Sequence, residues 1–145
     1  MDTRSLNAEM TERLLAAPAE PVPDGGYALR VLETRGRTSA EPRRTPLAVV
    51  GREGGHFLVS PVRGRDWVRN LLADPACAVL ENTDRIPCQA HEVVGAEAAA
   101  VIAVYLRSMT VPWAIRAFPV PQEASLDDIL GHVADMAVFE LRDRP

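Results

Sequence analysis

The chain has no lysine: all 16 of its basic residues are arginine, set against 20 acidic residues for a formal net charge of −4. That balance gives little support to general binding to nucleic acid or to an anionic membrane surface. Every cation present is a planar fork, the geometry that grips phosphate or carboxylate bidentately. Long apolar runs are missing as well, and nothing approaches the ~18–20 residues of a membrane-spanning helix. The N-terminal stretch MDTRSLNAEMTERLLAAP carries acidic residues and lacks the apolar run of a signal peptide. A cytoplasmic protein is the expectation.

Catalytic and metal-site patterns are equally scarce. His56, His91 and His132 show no ligand spacing, and HEVVG opens like a zinc-protease helix but has Gly95 where a second histidine is needed. No GxGxxG, GxxxxGK[ST] or GxSxG pattern occurs. No metal is expected, and these absences assign the hard chemistry of an enzyme built on this chain to a cofactor. Cys77 and Cys88 fall on the two arms of a hairpin expected to turn near residues 82–85. In that register Cys88 faces about residue 80 and Cys77 faces His91, so the thiols pack as small hydrophobes and do not meet.

What is present is the composition of one globular domain, 145 residues with 47% apolar and 25% charged. Ser5 or Asn7 is placed to cap a helix through AEMTERLLAA that Pro18 ends. Residues 17–26 are Pro- and Gly-rich, a linker expected to isolate that helix. This divides the chain into residues 1–26, helix and linker, and residues 27–145, the main domain. There, YALRVLET reads as a strand, TPLAVVGREGGHFLVSPV as a hairpin turning at 51–55, and CAVLEN with IPCQAHEVV as a second hairpin. Helices are expected at 66–75, stopped by Pro75, and at 95–110, with residues 113–118 extending the latter. A capping box at Ser125 and Asp128 opens another short helix, and AVFELRD closes the chain as a strand. About six mostly antiparallel strands with flanking helices give an α+β fold, a small barrel.

Seven arginines crowd two windows: Arg35, Arg37, Arg43 and Arg44 in TRGRTSAEPRRTP, then Arg63, Arg65 and Arg69 in VSPVRGRDWVRN. Each window follows a strand, and Gly36 and Gly64 allow close backbone approach. Such a cluster is either an anion seat or a pair of solvated loops neutralised by Glu33, Glu41 or Asp66.

The windows also carry a pattern. Thr34, Gly36, Arg37, Ser39, Arg43, Pro46 and Leu47, followed by Trp67, Asn70, Leu71, Ala73 and Pro75, resemble the deazaflavin-dependent nitroreductase family of small actinobacterial split β-barrel proteins. The resemblance spans roughly residues 27 to 142 and departs from the family pattern at Thr38, commonly basic, at Ala40, commonly glycine, and before Trp67, where a Gly-Gly is usual. It implies an oxidoreductase that passes hydride from reduced coenzyme F-420 to an electron-poor small molecule such as a quinone, nitro compound or conjugated enone. Natural-product biosynthesis is one setting for such a reaction. The cofactor site it implies comprises Arg37, Thr38, Ser39, Arg43, Arg44, Pro46, Leu47, Ser60, Arg63, Arg65 and Trp67, although Trp67 also fits a core anchor. Ser60 and Tyr105 are candidate donors to the reduced substrate. Tyr105, Met109, Trp113 and Phe118 share helix-like spacing and are candidates for pocket lining or for packing on the barrel. Two other readings stay open: a split barrel holding FMN or haem, and a non-catalytic metabolite binder. Partners are a small molecule and at most a second copy of the chain, as monomer or homodimer, with neither nucleic acid nor membrane.

Overall fold

The computed structural model describes residues 3–144. Its six strands are β1 (Tyr27–Arg35), β2 (Pro42–Arg52), β3 (Gly55–Ser60), β4 (Ala76–Glu81), β5 (Asp84–Val93) and β6 (Ala137–Asp143). They close into an antiparallel barrel in the order β1-β2-β3-β6-β5-β4. The helices are α1 (Thr3–Leu15), α2 (Asp66–Ala73), α3 (Gly95–Ser108), α4 (Pro112–Arg116) and α5 (Leu126–Leu130), with a single 3-10 turn at Val133–Asp135. The α+β barrel is therefore as expected from the strand pattern. None of the described helices is long and apolar enough to cross a membrane.

Strand alternation sorts the apolar residues into layers. Leu32, Val49, Leu58, Cys77, Cys88, Ala90 and Phe139 fill the barrel interior. One end is stoppered by α2, whose Trp67, Val68 and Leu71 enter the same cluster; burial of each is worth about 1.5–3 kcal/mol. Outside, α3 lies on Val50, Phe57, Val59 and Val138. The helix α1 packs Leu14 and Leu15 on Val31, Ala78 and Leu80.

That last contact corrects the expectation of an isolated first helix. The helix begins earlier than expected, so Ser5 and Asn7 lie within it rather than capping it. The linker is also fastened to the barrel. Val22 packs against the inner cluster, the Arg30 guanidinium donates to the Glu20 carbonyl, and Gly25 and Gly26 exchange backbone hydrogen bonds with Gly51. Gly51 is required there, because a Cβ on it would lie 2.2 Å from the Pro23 carbonyl oxygen. Composition marks a Pro-rich segment as irregular but does not say what it lies against.

The second hairpin also differs. It turns on two residues, Asn82 and Thr83, with Glu81 paired to Asp84, and this shifts the register so that Cys77 faces Cys88 directly. His91 consequently pairs with Glu140 on β6, not with Cys77. The helix expected at 95–110 ends at Ser108, and residues 112–116 form a separate short helix. The capping box is present, the Asp128 N–H donating to Ser125 Oγ at 3.1 Å.

Between β1 and β2 the chain reverses through a loop in which Ala40 adopts φ +62°. A side chain resists that left-handed conformation and glycine does not. Replacing Ala40 with glycine is expected to raise stability by about 0.5–1 kcal/mol in chemical denaturation; an unchanged or lower midpoint would show that the turn carries no strain.

Candidate functional site

The β1–β2 loop is built from its own backbone. Gly36 N–H donates to the Glu41 carbonyl, Ala40 N–H to the Gly36 carbonyl, and Glu41 N–H to Ser39 Oγ. The N–H groups of Thr38 and Ser39 have no partner among the described residues. Gly36 sits at the centre: a Cβ there would lie 2.7 Å from Ser39 Oγ and 3.5 Å from Arg43 Nε. The glycine thus leaves room beside it for both the Ser39 hydroxyl and the Arg43 guanidinium.

The loop is anchored from α2 by Asn70, buried to 3% exposure. Its Nδ2 donates to Thr34 Oγ1 at 3.1 Å. Its Oδ1 accepts from the Arg37 backbone N–H at 3.2 Å and from Arg37 Nη1 at 2.9 Å. The second guanidinium nitrogen of Arg37 reaches Asp66 at 3.2 Å. The two sequence windows are joined here, by one carboxamide and one ion pair.

The seven arginines divide accordingly. Arg37 is engaged by Asn70 and Asp66, Arg44 by Glu33, Arg63 bidentately by Glu92, and Arg35 by Asp74 at 3.9 Å. Arg43, Arg65 and Arg69 are exposed and make no side-chain hydrogen bond or ion pair among the described residues. Arg43 and Arg44 project to opposite faces of β2: Arg43 pairs with Thr34 in register, Arg44 with Glu33. Only Arg43 faces the loop. An anionic group fits this donor set, comprising one uncommitted guanidinium, one hydroxyl and two free backbone N–H groups, without displacing an existing ion pair.

The other candidates separate. Ser60 is fully buried, and its hydroxyl donates to the Val62 carbonyl at 2.5 Å. It belongs to the inner face of the barrel wall, whereas Tyr105 packs on the outer cluster, so the two are not brought together. Trp67 is buried against Phe139, with ring centroids 6.1 Å apart. Pro46 and Leu47 are half-buried on opposite faces of β2, Leu47 against the inner cluster.

Tyr105 stands edge-on between Tyr27, at 5.5 Å, and Phe118, at 5.7 Å, and Tyr27 Oη contacts Met109 Sδ at 3.7 Å. Burial pushes the Tyr105 phenol up to about 12; Tyr27 adds to that shift and nearby Arg65 opposes it. Trp113 is apart from this group, 70% exposed on α4. Tyr27 was missed in the sequence because it opens a strand far from the Tyr105 region. The strap carrying Trp113 is closed at its base by Gln122, whose amide donates to the Leu106 and Met109 carbonyls at 2.8 and 2.7 Å. Two clefts lie elsewhere: one of about 310 Å³ beside Arg63, Val94 and Leu130, and one of about 420 Å³ at the barrel end away from α2. The loop site is an open surface cradle.

A closed six-stranded antiparallel barrel with flanking helices, one of them stoppering an end, is the split β-barrel fold. The chain belongs to the F-420H(2)-dependent quinone reductase family, whose model matches residues 6–117. The match takes in most of α1 and ends before Phe118, so it starts earlier and stops sooner than the motif resemblance. Among solved structures, the chain is similar to an F-420H(2)-dependent reductase (FDR-A), at 21% identity and TM-score 0.51, over 84% of this chain and 100% of that one. It is also similar to a haem-binding protein from Mycobacterium smegmatis, at 18% identity and TM-score 0.55, over 94% of this chain. The chain spans about half the length of that haem-binding protein, 51%. A third, described as a domain-swapped dimer, aligns at 20% identity and TM-score 0.56, over 97% of this chain and 100% of that one. At these identities the likeness carries the fold alone. No curated protein sequence matches the chain.

Truncating Asn70 to alanine leaves the Thr34 hydroxyl and the Arg37 N–H without partners. Expected is a loss of about 2 kcal/mol in urea unfolding; a cost below about 0.5 kcal/mol would mean the anchor is dispensable.

Proposed function

We propose that this chain reduces a quinone with reduced coenzyme F-420, and that the β1–β2 loop holds the cofactor's phosphate. The observation that carries the reading is that the Ser39 hydroxyl and the uncommitted Arg43 guanidinium both lie beside Gly36, in a loop whose Thr38 and Ser39 N–H groups are left without protein partners among the described residues. Membership of the quinone reductase family supports the acceptor class. Arg37 acts by holding the loop's shape through Asn70, and Arg43 supplies the free charge. Arg65 and Arg69, exposed at the start of α2 and without ion-pair partners among the described residues, are further cations for the cofactor's acidic tail.

When bound, the reduced deazaflavin supplies the hydride. The protein positions the two rings and excludes water from between them. The quinone oxygen gains negative charge as it accepts hydride, so a donor beside it lowers the barrier. Of the two candidates Tyr105 suits that role, because it stays a neutral phenol at physiological pH while the Ser60 hydroxyl is engaged inside the wall. Tyr27 and Phe118 pack edge-on against the Tyr105 ring and fix its orientation.

The test is fluorescence titration with coenzyme F-420, with FMN in parallel, and then steady-state oxidation of the reduced cofactor by menadione, a nitroarene and a cyclic enone. Tight binding of the deazaflavin and fastest turnover with the quinone are expected. Arg43→Ala should weaken cofactor binding by about 1.5–3 kcal/mol, the size of a charged hydrogen bond. Unchanged affinity in that variant would remove Arg43 from the site; preference for FMN, or no quinone turnover, would overturn the reading as a whole.

A further inference from the structure

Cys77 and Cys88 are free thiols that stand directly opposite each other across the β4–β5 ladder, and both side chains enter the inner cluster of the barrel. Directly opposed antiparallel residues have α-carbons about 4.5–5.5 Å apart and side chains on one face, within the span of about 4.4–6.8 Å that a disulfide bridges. The cleft of about 420 Å³ at the barrel end away from α2 is lined by Val22, Gly54, Ile86, Leu141 and Cys88. Cys88 is therefore the thiol that a small molecule meets first. Cys77 lies deeper, in register with Thr34 on β1. We propose that Cys77 and Cys88 form an oxidisable dithiol, a modification site whose oxidant is a small hydroperoxide entering by this cleft and whose product is the intrachain disulfide.

The chemistry balances without a further reagent. Cys88 Sγ, as thiolate, attacks one oxygen of hydrogen peroxide; the O–O bond breaks, and the departing hydroxide takes a proton to leave as water. Cys88 is then a sulfenic acid. Cys77 Sγ attacks that sulfur, an S–S bond forms, the S–O bond breaks, and the hydroxyl leaves with the Cys77 proton as a second water. Two thiols and one peroxide give one disulfide and two waters, with two electrons passing from sulfur to oxygen.

Burial makes the first step slow and the second fast. It pushes both thiols up, Cys77 to about 12 with its neighbour Cys88 contributing, so little thiolate exists at neutral pH. Once Cys88 is oxidised its partner is already in place, so closure outruns further oxidation. The bond would tie β4 to β5 directly behind Thr34, the residue through which Asn70 holds β1.

The experiment treats the full chain with hydrogen peroxide, quenches it, and reads intact mass and a non-reducing peptide map over hours. Expected is the loss of two hydrogens, a cross-linked peptide pair joining Cys77 to Cys88, reversal by dithiothreitol, and a higher Tm in the oxidised form. Cys77→Ser should instead gain oxygen at Cys88, and Cys88→Ser should remain largely unmodified because Cys77 is shielded. Oxygen addition to the wild-type chain without hydrogen loss, no thiol change after prolonged exposure, or a lowered Tm on closure would each overturn the proposal.

Discussion

The carboxamide of Asn70 is the interaction on which the site depends. It is buried at the seam between α2 and the end of β1, with its donor on Thr34 and its acceptor on Arg37. A buried amide left unpaired costs a substantial part of a small domain's stability, so helix and loop are held in one arrangement. Trp67, Val68 and Leu71 bring α2 into the barrel end, and the polar anchor then converts that packing into a defined loop shape. With Arg37 engaged by Asn70 and Asp66, the donors left uncommitted are the Arg43 guanidinium, the Ser39 hydroxyl and the backbone N–H groups of Thr38 and Ser39.

That arrangement leaves uncommitted positive charge on an acidic chain. Local acidic partners neutralise four of the clustered arginines. An exposed ion pair such as Arg44–Glu33 adds little stability, but it removes a competing charge from the outer face of β2. The uncommitted charge is left on Arg43, Arg65 and Arg69. Net charge says nothing of this, because what matters to a ligand is which guanidinium groups lack a carboxylate.

Much of the fold was legible in the residues: strand alternation, the Gly-rich turn at 51–55, the Asp66 helix and the Ser125 cap each have local chemistry that names them. Contacts between distant segments were not. Nothing near Arg37 announces that its partner is Asn70, 33 residues away. The docking of α1 depends on Leu14 and Leu15 meeting Val31 across a linker whose composition marks only irregularity. The β4–β5 register turned on whether the hairpin loop holds two residues or four. Since the loop length fixes which residues stand opposite along the whole ladder, that small difference decides whether Cys77 meets Cys88. Tyr27 joined the aromatic group for the same reason, through strand register rather than motif.

The central claim is that the β1–β2 loop, shaped by Asn70, holds the phosphate of coenzyme F-420. A crystal structure of the chain with that cofactor bound tests it most directly. The account predicts the phosphate within hydrogen-bond distance of Ser39 and Arg43, with Arg37 still on Asn70. A phosphate seated in either of the two clefts, or held by Arg37 released from Asn70, would contradict it.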